Sequence, residues 1–85
     1  MVSIAKIIIT EKFEKDVKKI RDRTIRLRID SEVQKIRGNP NVGKPLGYGL
    51  KGERTIRISP YRLIYSVSGD SLILIRFEHR KDVYD

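Results

Sequence analysis

The chain has 85 residues, no cysteine, a single histidine (His79), and 19 Lys and Arg against 11 Asp and Glu. That length is read as one domain, 1–85. The composition excludes a disulfide framework and thiolate metal sites, and leaves too few soft ligands for structural zinc, so no metal and no cofactor are expected. The longest apolar run, Ile7-Ile8-Ile9, is too short to span a bilayer, and the N-terminus lacks a signal-peptide pattern. The expectation is therefore a cytoplasmic protein with no membrane partner. A net charge of +8 and a pI near 10.1 favour a polyanionic partner bound with salt-dependent affinity. The excess is spread over both halves of the chain, so charge alone does not locate a site.

Val2 to Ile9 reads as a strand. It is apolar on both parities (Ile4 and Ile8; Ala5, Ile7 and Ile9), the pattern of a strand buried on both sides or in the interior of a sheet. Thr10 can cap a following helix, with Glu11 and Glu14 in the first turn and Phe13, Val17 and Ile20 as the inward stripe. A turn near Asp22 leads to a second helix from about Arg23 to Arg37, with Ile25, Ile29, Val33 and Ile36 inward. Gly38 offers a C′ stop, reinforced by Asn39-Pro40. Asn39 to Gly52 is rich in glycine and carries two prolines. It is expected to be a loop without regular structure, holding Lys44 and Lys51 and pinned by Leu46 and Leu50.

Arg54 to Val67 reads as two strands joined by a tight turn at Ser59-Pro60. Ile56 and Ile58 share one face, as do Leu63, Tyr65 and Val67. Arg57 and Arg62 then emerge together on the other. Two adjacent guanidiniums on a rigid sheet suit a phosphate, since each offers a planar fork of donors. Ser68-Gly69-Asp70-Ser71 makes a second turn, and Leu72 to Phe77 is the last strand, expected to lie centrally. Facing Ile73, Ile75 and Phe77 to the helices puts Arg76 and Glu78 on the face of Arg57 and Arg62. Tyr65 is read as core, and Tyr61 as closing the hairpin. The helix cations, such as Lys15, Lys18, Lys19, Arg26 and Arg28, are read as solvated surface. The fold class is α+β, in the order β-α-α-β-β-β: an antiparallel-rich four-stranded sheet with two helices packed on one face.

Leu50-Lys51-Gly52, Arg57-Ile58, Tyr61-Arg62-Leu63-Ile64-Tyr65 and His79-Arg80-Lys81-Asp82-Val83-Tyr84 together resemble the RelE/ParE superfamily of toxin–antitoxin toxins. The resemblance covers nearly the whole chain and is closest to the RelE side. It implies a RelE-like fold and the toxin of a type II system, acting as a ribosome-dependent, metal-independent mRNA endonuclease. Cleavage would proceed by attack of a 2′-hydroxyl on the adjacent phosphorus. By the resemblance, Arg62 matches the arginine that stabilises the transition state. Arg80 matches a later arginine suggested as general acid, and Tyr84 a C-terminal tyrosine that holds splayed bases. Arg57 stands where RelE has a lysine proposed as base, and a guanidinium stays protonated.

His79 is the remaining candidate base, because histidine is the side-chain type that ordinarily titrates near neutrality. It also shares the parity of Phe77, which makes it equally a packing residue. Lys44, Lys51, Arg76 and Lys81 are read as RNA-binding cations. The implied partners are a cognate RelB-like antitoxin, with an open sheet edge and an apolar groove beside the helices as its docking places, and mRNA and ribosomal RNA in the ribosomal A site. The alternatives are a ParE-like inhibitor of DNA gyrase on the same fold and a catalytically weak RNA-binding homologue.

Overall fold

Two side-chain caps set the helical hairpin. In the computed structural model, which describes residues 4–46 and 52–82, helix α1 spans Glu11–Lys18 and α2 spans Arg23–Gly38. Thr10 Oγ1 accepts the Phe13 N–H at 3.1 Å, and the Asp22 carboxylate accepts the N–H groups of Thr24 and Ile25 at 2.8 and 3.4 Å. Both caps satisfy amides that a helix start leaves without an intrahelical acceptor. Gly38 does not terminate α2 from outside. It is the last helical residue, and Asn39 follows in extended conformation with its N–H on the Lys35 carbonyl. The inward stripe of α2 is the expected one: Ile25, Ile29, Val33 and Ile36 are all buried.

The strands are β1 (Lys6–Ile9), β2 (Lys44–Pro45), β3 (Glu53–Ile58), β4 (Tyr61–Ser68) and β5 (Ser71–His79), followed by a short 3-10 turn, Arg80–Asp82. They form one mixed sheet in the order β1-β5-β4-β3-β2. The sheet therefore has five strands rather than four. The extra one is β2, two residues inside the stretch expected to be irregular, where Lys44 pairs with Thr55 and Pro45 with Arg54. Only two residues are needed, because β2 merely continues the antiparallel ladder at one end of β3.

A second correction concerns β1. Among the described residues it pairs with β5 alone, in parallel, and forms a sheet edge, with Ile8 46% and Ile9 57% exposed. Its two-sided apolar pattern reflects an edge whose side chains are left uncovered, not a buried interior strand. The interior position falls to β5, between β1 and β4.

The third correction is one of parity. Between β4 and β5 the register runs Ile64↔Arg76 and then Tyr65↔Leu74, so Ile75 is an extra residue on β5. Such a bulge exchanges the faces on either side of it. Leu72 and Leu74 join Phe77 in the core, and Ile73 and Ile75 are only half-buried. Thr10 sits against this irregularity, its hydroxyl 2.8 Å from the carbonyls of both Leu74 and Ile75.

The core lies between the helices and one sheet face, where Phe13, Ile29 and Ile36 meet Ile58, Leu63, Tyr65, Leu72 and Phe77. The opposite face is not bare. Ile64 and its register partner Thr55 are buried there, and Leu46, beyond the end of β2, is buried too. Nearer the Ser59-Pro60 turn, Arg57 on that face is exposed and Arg62 half-buried.

Candidate nucleic-acid interface

At that end Arg57 and Arg62 are direct register partners across β3 and β4, one step from the turn. Directly opposed residues hold their Cβ atoms about 4.5–5.5 Å apart, and like charges so placed repel. An anion bridging the two forks reverses the sign of that interaction. The pair lines a cleft of about 590 Å³ together with Lys44, Thr55, Ile56 and Glu32. Because β2 pairs only with Arg54 and Thr55, no strand among the described residues pairs with the outer edge of β3 beyond Thr55, and the cleft lies there.

Lys44 reaches this cleft through a pinned loop. The buried Tyr65 hydroxyl donates to the Pro40 carbonyl at 2.7 Å and accepts the Gly43 N–H at 3.0 Å. Arg54 Nη1 donates to the Gly43 carbonyl at 2.7 Å. Glycine is required at 43 by space, since a Cβ there would lie 2.8 Å from Tyr65 Cε1 and 3.0 Å from the Thr55 carbonyl. Burial pushes the Tyr65 phenol above its ordinary pKa, opposed by the hydrogen bond from Gly43 and by the Arg54 charge.

Arg76, read as an RNA-binding cation, shares the face of Arg62 but is held by two carboxylates. Its Nη1 lies 3.3 Å from Glu53 Oε1, and its Nε lies 2.6 Å from Glu78 Oε1. Glu78 is in turn the register partner of Arg62. His79 goes to the other side of the sheet. It pairs with Tyr61, whose ring stacks on core Phe77 at 5.1 Å and meets the imidazole edge-on at 5.7 Å. Strand alternation thus separates His79 from Arg62, whichever of its two readings is preferred. Arg80 is exposed in the 3-10 turn, and its N–H donates to the Pro60 carbonyl, which brings its backbone to the same end of the sheet as Arg57 and Arg62. Lys81 is exposed beside it. Lys51 and Tyr84 lie outside the described residues.

The structure therefore gathers Lys44, Arg57 and Arg62 into one cleft and diverts Arg76 and His79 from it. Two residues went unread in the sequence. Thr55 lines the cleft with a buried hydroxyl that has no hydrogen-bond partner among the described residues. Its signal was its parity with Arg57. Asp16 is the other, a buried carboxylate on α1 whose Oδ2 accepts the Phe77 N–H at 3.0 Å while Oδ1 takes the Lys12 ammonium at 2.6 Å. That hydrogen bond raises the Lys12 pKa above its ordinary value. Beyond Ile9↔Leu74, β1 no longer flanks β5, and Asp16 supplies the acceptor that a strand would have given. Its place among Phe13, Val17 and Ile20, at helical spacing, was a legible sign of burial.

Solved structures share this architecture. The toxin–antitoxin complex RelBE2 from Mycobacterium tuberculosis contains a chain 26% identical, with a TM-score of 0.74 over 88% of this chain and 96% of that one. The RelB–RelE antitoxin–toxin complex from Methanococcus jannaschii contains one 29% identical, with a TM-score of 0.74 over 92% and 95%. The E. coli RelBE complex matches at 21% identity and a TM-score of 0.74 over 87% and 94%, a likeness of fold alone. No curated protein sequence matches the chain. Residues 7–84 match the family described as the ParE toxin of type II toxin–antitoxin systems, parDE. With the sheet order, the helical hairpin and a sequence match spanning nearly its whole length, the chain belongs to the ParE toxin family of type II toxin–antitoxin systems, within the RelE/ParE superfamily.

Proposed function

We propose that this toxin is a ribosome-dependent, metal-independent mRNA endonuclease acting in the ribosomal A site, and so in the cytoplasm. The observation that carries the reading is the Arg57–Arg62 register pair facing one cleft with Lys44. In the reaction a 2′-hydroxyl attacks the adjacent phosphorus and the 5′-oxygen departs, leaving a 2′,3′-cyclic phosphate and a 5′-hydroxyl. Negative charge accumulates on the phosphorane, and donors aimed at it in a preorganised site are commonly the largest catalytic contribution. Arg62 and Arg57 supply that charge through guanidinium forks suited to phosphate oxygens. Arg80, whose backbone N–H is anchored on the Pro60 carbonyl, serves the departing oxygen in this reading, and Tyr84, by its family resemblance, stacks on a base. The ribosome contributes the positioning of the message. His79, stacked against Tyr61 on the opposite face, acts in packing.

A cognate RelB-like antitoxin completes this reading. The exposed β1 edge at Ile7–Ile9 and the adjoining apolar groove of about 420 Å³ against both helices are its expected docking places. Primer extension on mRNA from a purified translation reaction tests the activity. Arg62→Ala should lower cleavage by about 10²–10³-fold, the usual loss for one such donor, with the fold intact, and His79→Ala should leave cleavage nearly unchanged. A message left intact by the natural protein overturns the proposal. One observation favours a second reading, inhibition of DNA gyrase: the family matched over 7–84 is that of ParE toxins. In that case gyrase supercoiling falls while translated messages survive.

A further inference from the structure

We propose that Thr55 is a ligand-binding residue whose hydroxyl donates a hydrogen bond to a phosphate oxygen held between Lys44 and Arg57. That the phosphate is a linkage of RNA rests on the nuclease reading. The site itself rests on an orphaned donor and its two cationic neighbours.

Thr55 is 5% exposed, and its Oγ1 is buried with no hydrogen-bond partner among the described residues. A hydroxyl in that state has lost its water without replacement, a net cost to the folded chain. Elsewhere the fold provides for such groups. Thr10 Oγ1 lies 2.8 Å from each of two carbonyls, and the Tyr65 hydroxyl donates to Pro40 at 2.7 Å. Opposite Thr55 on β4 stands Ile64, fully buried and without an acceptor to offer. Valine has the same branched shape and the same preference for strands, and it would leave no donor unpaired there. Packing therefore does not call for the hydroxyl.

The neighbours on the cleft side do. Lys44 is the register partner of Thr55 on β2, and Arg57 lies two residues along β3 on the same face. All three line the cleft of about 590 Å³. Glu32 lines it too, but its carboxylate does not take the hydroxyl and is paired with Lys35 at 3.1 Å. An oxyanion between Lys44 and Arg57 would receive from Thr55 a charge-assisted bond, stronger than a neutral one. Phosphate suits three donors of different kinds, since its tetrahedral oxygens point in several directions at once. Rotation about χ1, which exchanges hydroxyl and methyl between staggered positions, is the adjustment that binding requires.

The test compares the natural protein with Thr55→Val, which removes the hydroxyl, and Thr55→Ser, which keeps it. Binding of a non-cleavable 2′-O-methyl RNA oligonucleotide is measured by fluorescence anisotropy at one low salt concentration. The same oligonucleotide is then used with a single uncharged methylphosphonate at each linkage in turn. Thr55→Val should weaken binding by about tenfold, the size of one charge-assisted hydrogen bond. Thr55→Ser should stay within about twofold of the natural protein. At one linkage the methylphosphonate should abolish the difference between natural protein and Thr55→Val. In the free protein, Thr55→Val should raise the urea midpoint, because an unpaired donor is gone.

Equal binding by natural protein and Thr55→Val, or no binding by the natural protein, would overturn the inference. A tenfold gap that persists whichever linkage is neutralised would place the hydroxyl on a base or sugar and overturn it as well. A lowered urea midpoint would do the same, since the hydroxyl would then have a partner inside the fold. If the binding results hold but the natural protein leaves translated message intact, the nuclease reading fails while the phosphate contact stands. If the natural protein cleaves and Thr55→Val binds and cleaves equally well, the contact fails while the nuclease reading stands.

Discussion

The Tyr65 phenol is the residue that ties the functional cleft to the core. Its ring belongs to the packed face, and its hydroxyl holds the loop that delivers Lys44. Tyr65→Phe removes an acceptor for the buried Gly43 amide and a donor to Pro40, and should cost about 1–3 kcal/mol near neutral pH. The pH dependence has a definite sign. Burial raises the folded-state pKa, so the folded protein keeps the phenolic proton after the unfolded chain has lost it. That contribution is complete below a pH of about 10 and is lost as pH rises through the folded value. Urea midpoints at about pH 8 and about pH 11 should therefore show the gap between natural protein and Tyr65→Phe narrowing at the higher pH; a gap that widens would contradict the argument. Strand alternation revealed the face Tyr65 occupies. It could not reveal what the hydroxyl binds, because the partner carbonyl lies 25 residues away and is set by loop closure.

At the level of elements, β1 and β5 carry the same apolar signature in the sequence and meet opposite fates. β5 is flanked on both sides and contributes the fully buried Leu72, while β1 is an edge with Ile8 nearly half exposed. Leu72→Ala should lower stability by about 2–5 kcal/mol, the range for a large-to-small change in a packed core. Ile8→Thr should stay within about 0.5 kcal/mol, as for other exposed positions. Equal shifts in the denaturation midpoints of the two variants would refute the assignment of edge and interior. Side-chain polarity reports only what lies above and below a strand, so lateral neighbours leave no mark in its pattern. The Ile75 bulge is hidden for a similar reason, since an extra residue in an all-apolar run does not disturb the run.

Taken as a whole, the molecule is a cation of net charge +8 in which Lys44, Arg57 and Arg62 share one cleft. Several helix charges are matched in pairs one turn apart, such as Lys15 with Glu11 and Lys18 with Glu14. Arg57 and Arg62 stand directly opposite each other on β3 and β4. If both contact phosphates, Arg57→Ala and Arg62→Ala should each flatten the salt dependence of single-stranded RNA binding by about 0.7 in the log–log slope. Lys15→Ala should leave it unchanged, and equal slopes for all three variants would place the RNA elsewhere. The sequence by itself determined the capped helical hairpin, the Ser59-Pro60 β-hairpin and the pairing of Arg57 with Arg62, because caps, turns and the periods of helix and strand act over a few neighbouring residues. Only the tertiary structure decided which strand forms the edge, where Ile75 breaks the register, that Arg76 is taken by Glu53 and Glu78, and that His79 faces away from Arg62. Each of those depends on segments distant in the chain arriving side by side, an outcome of packing that local periodicity does not encode.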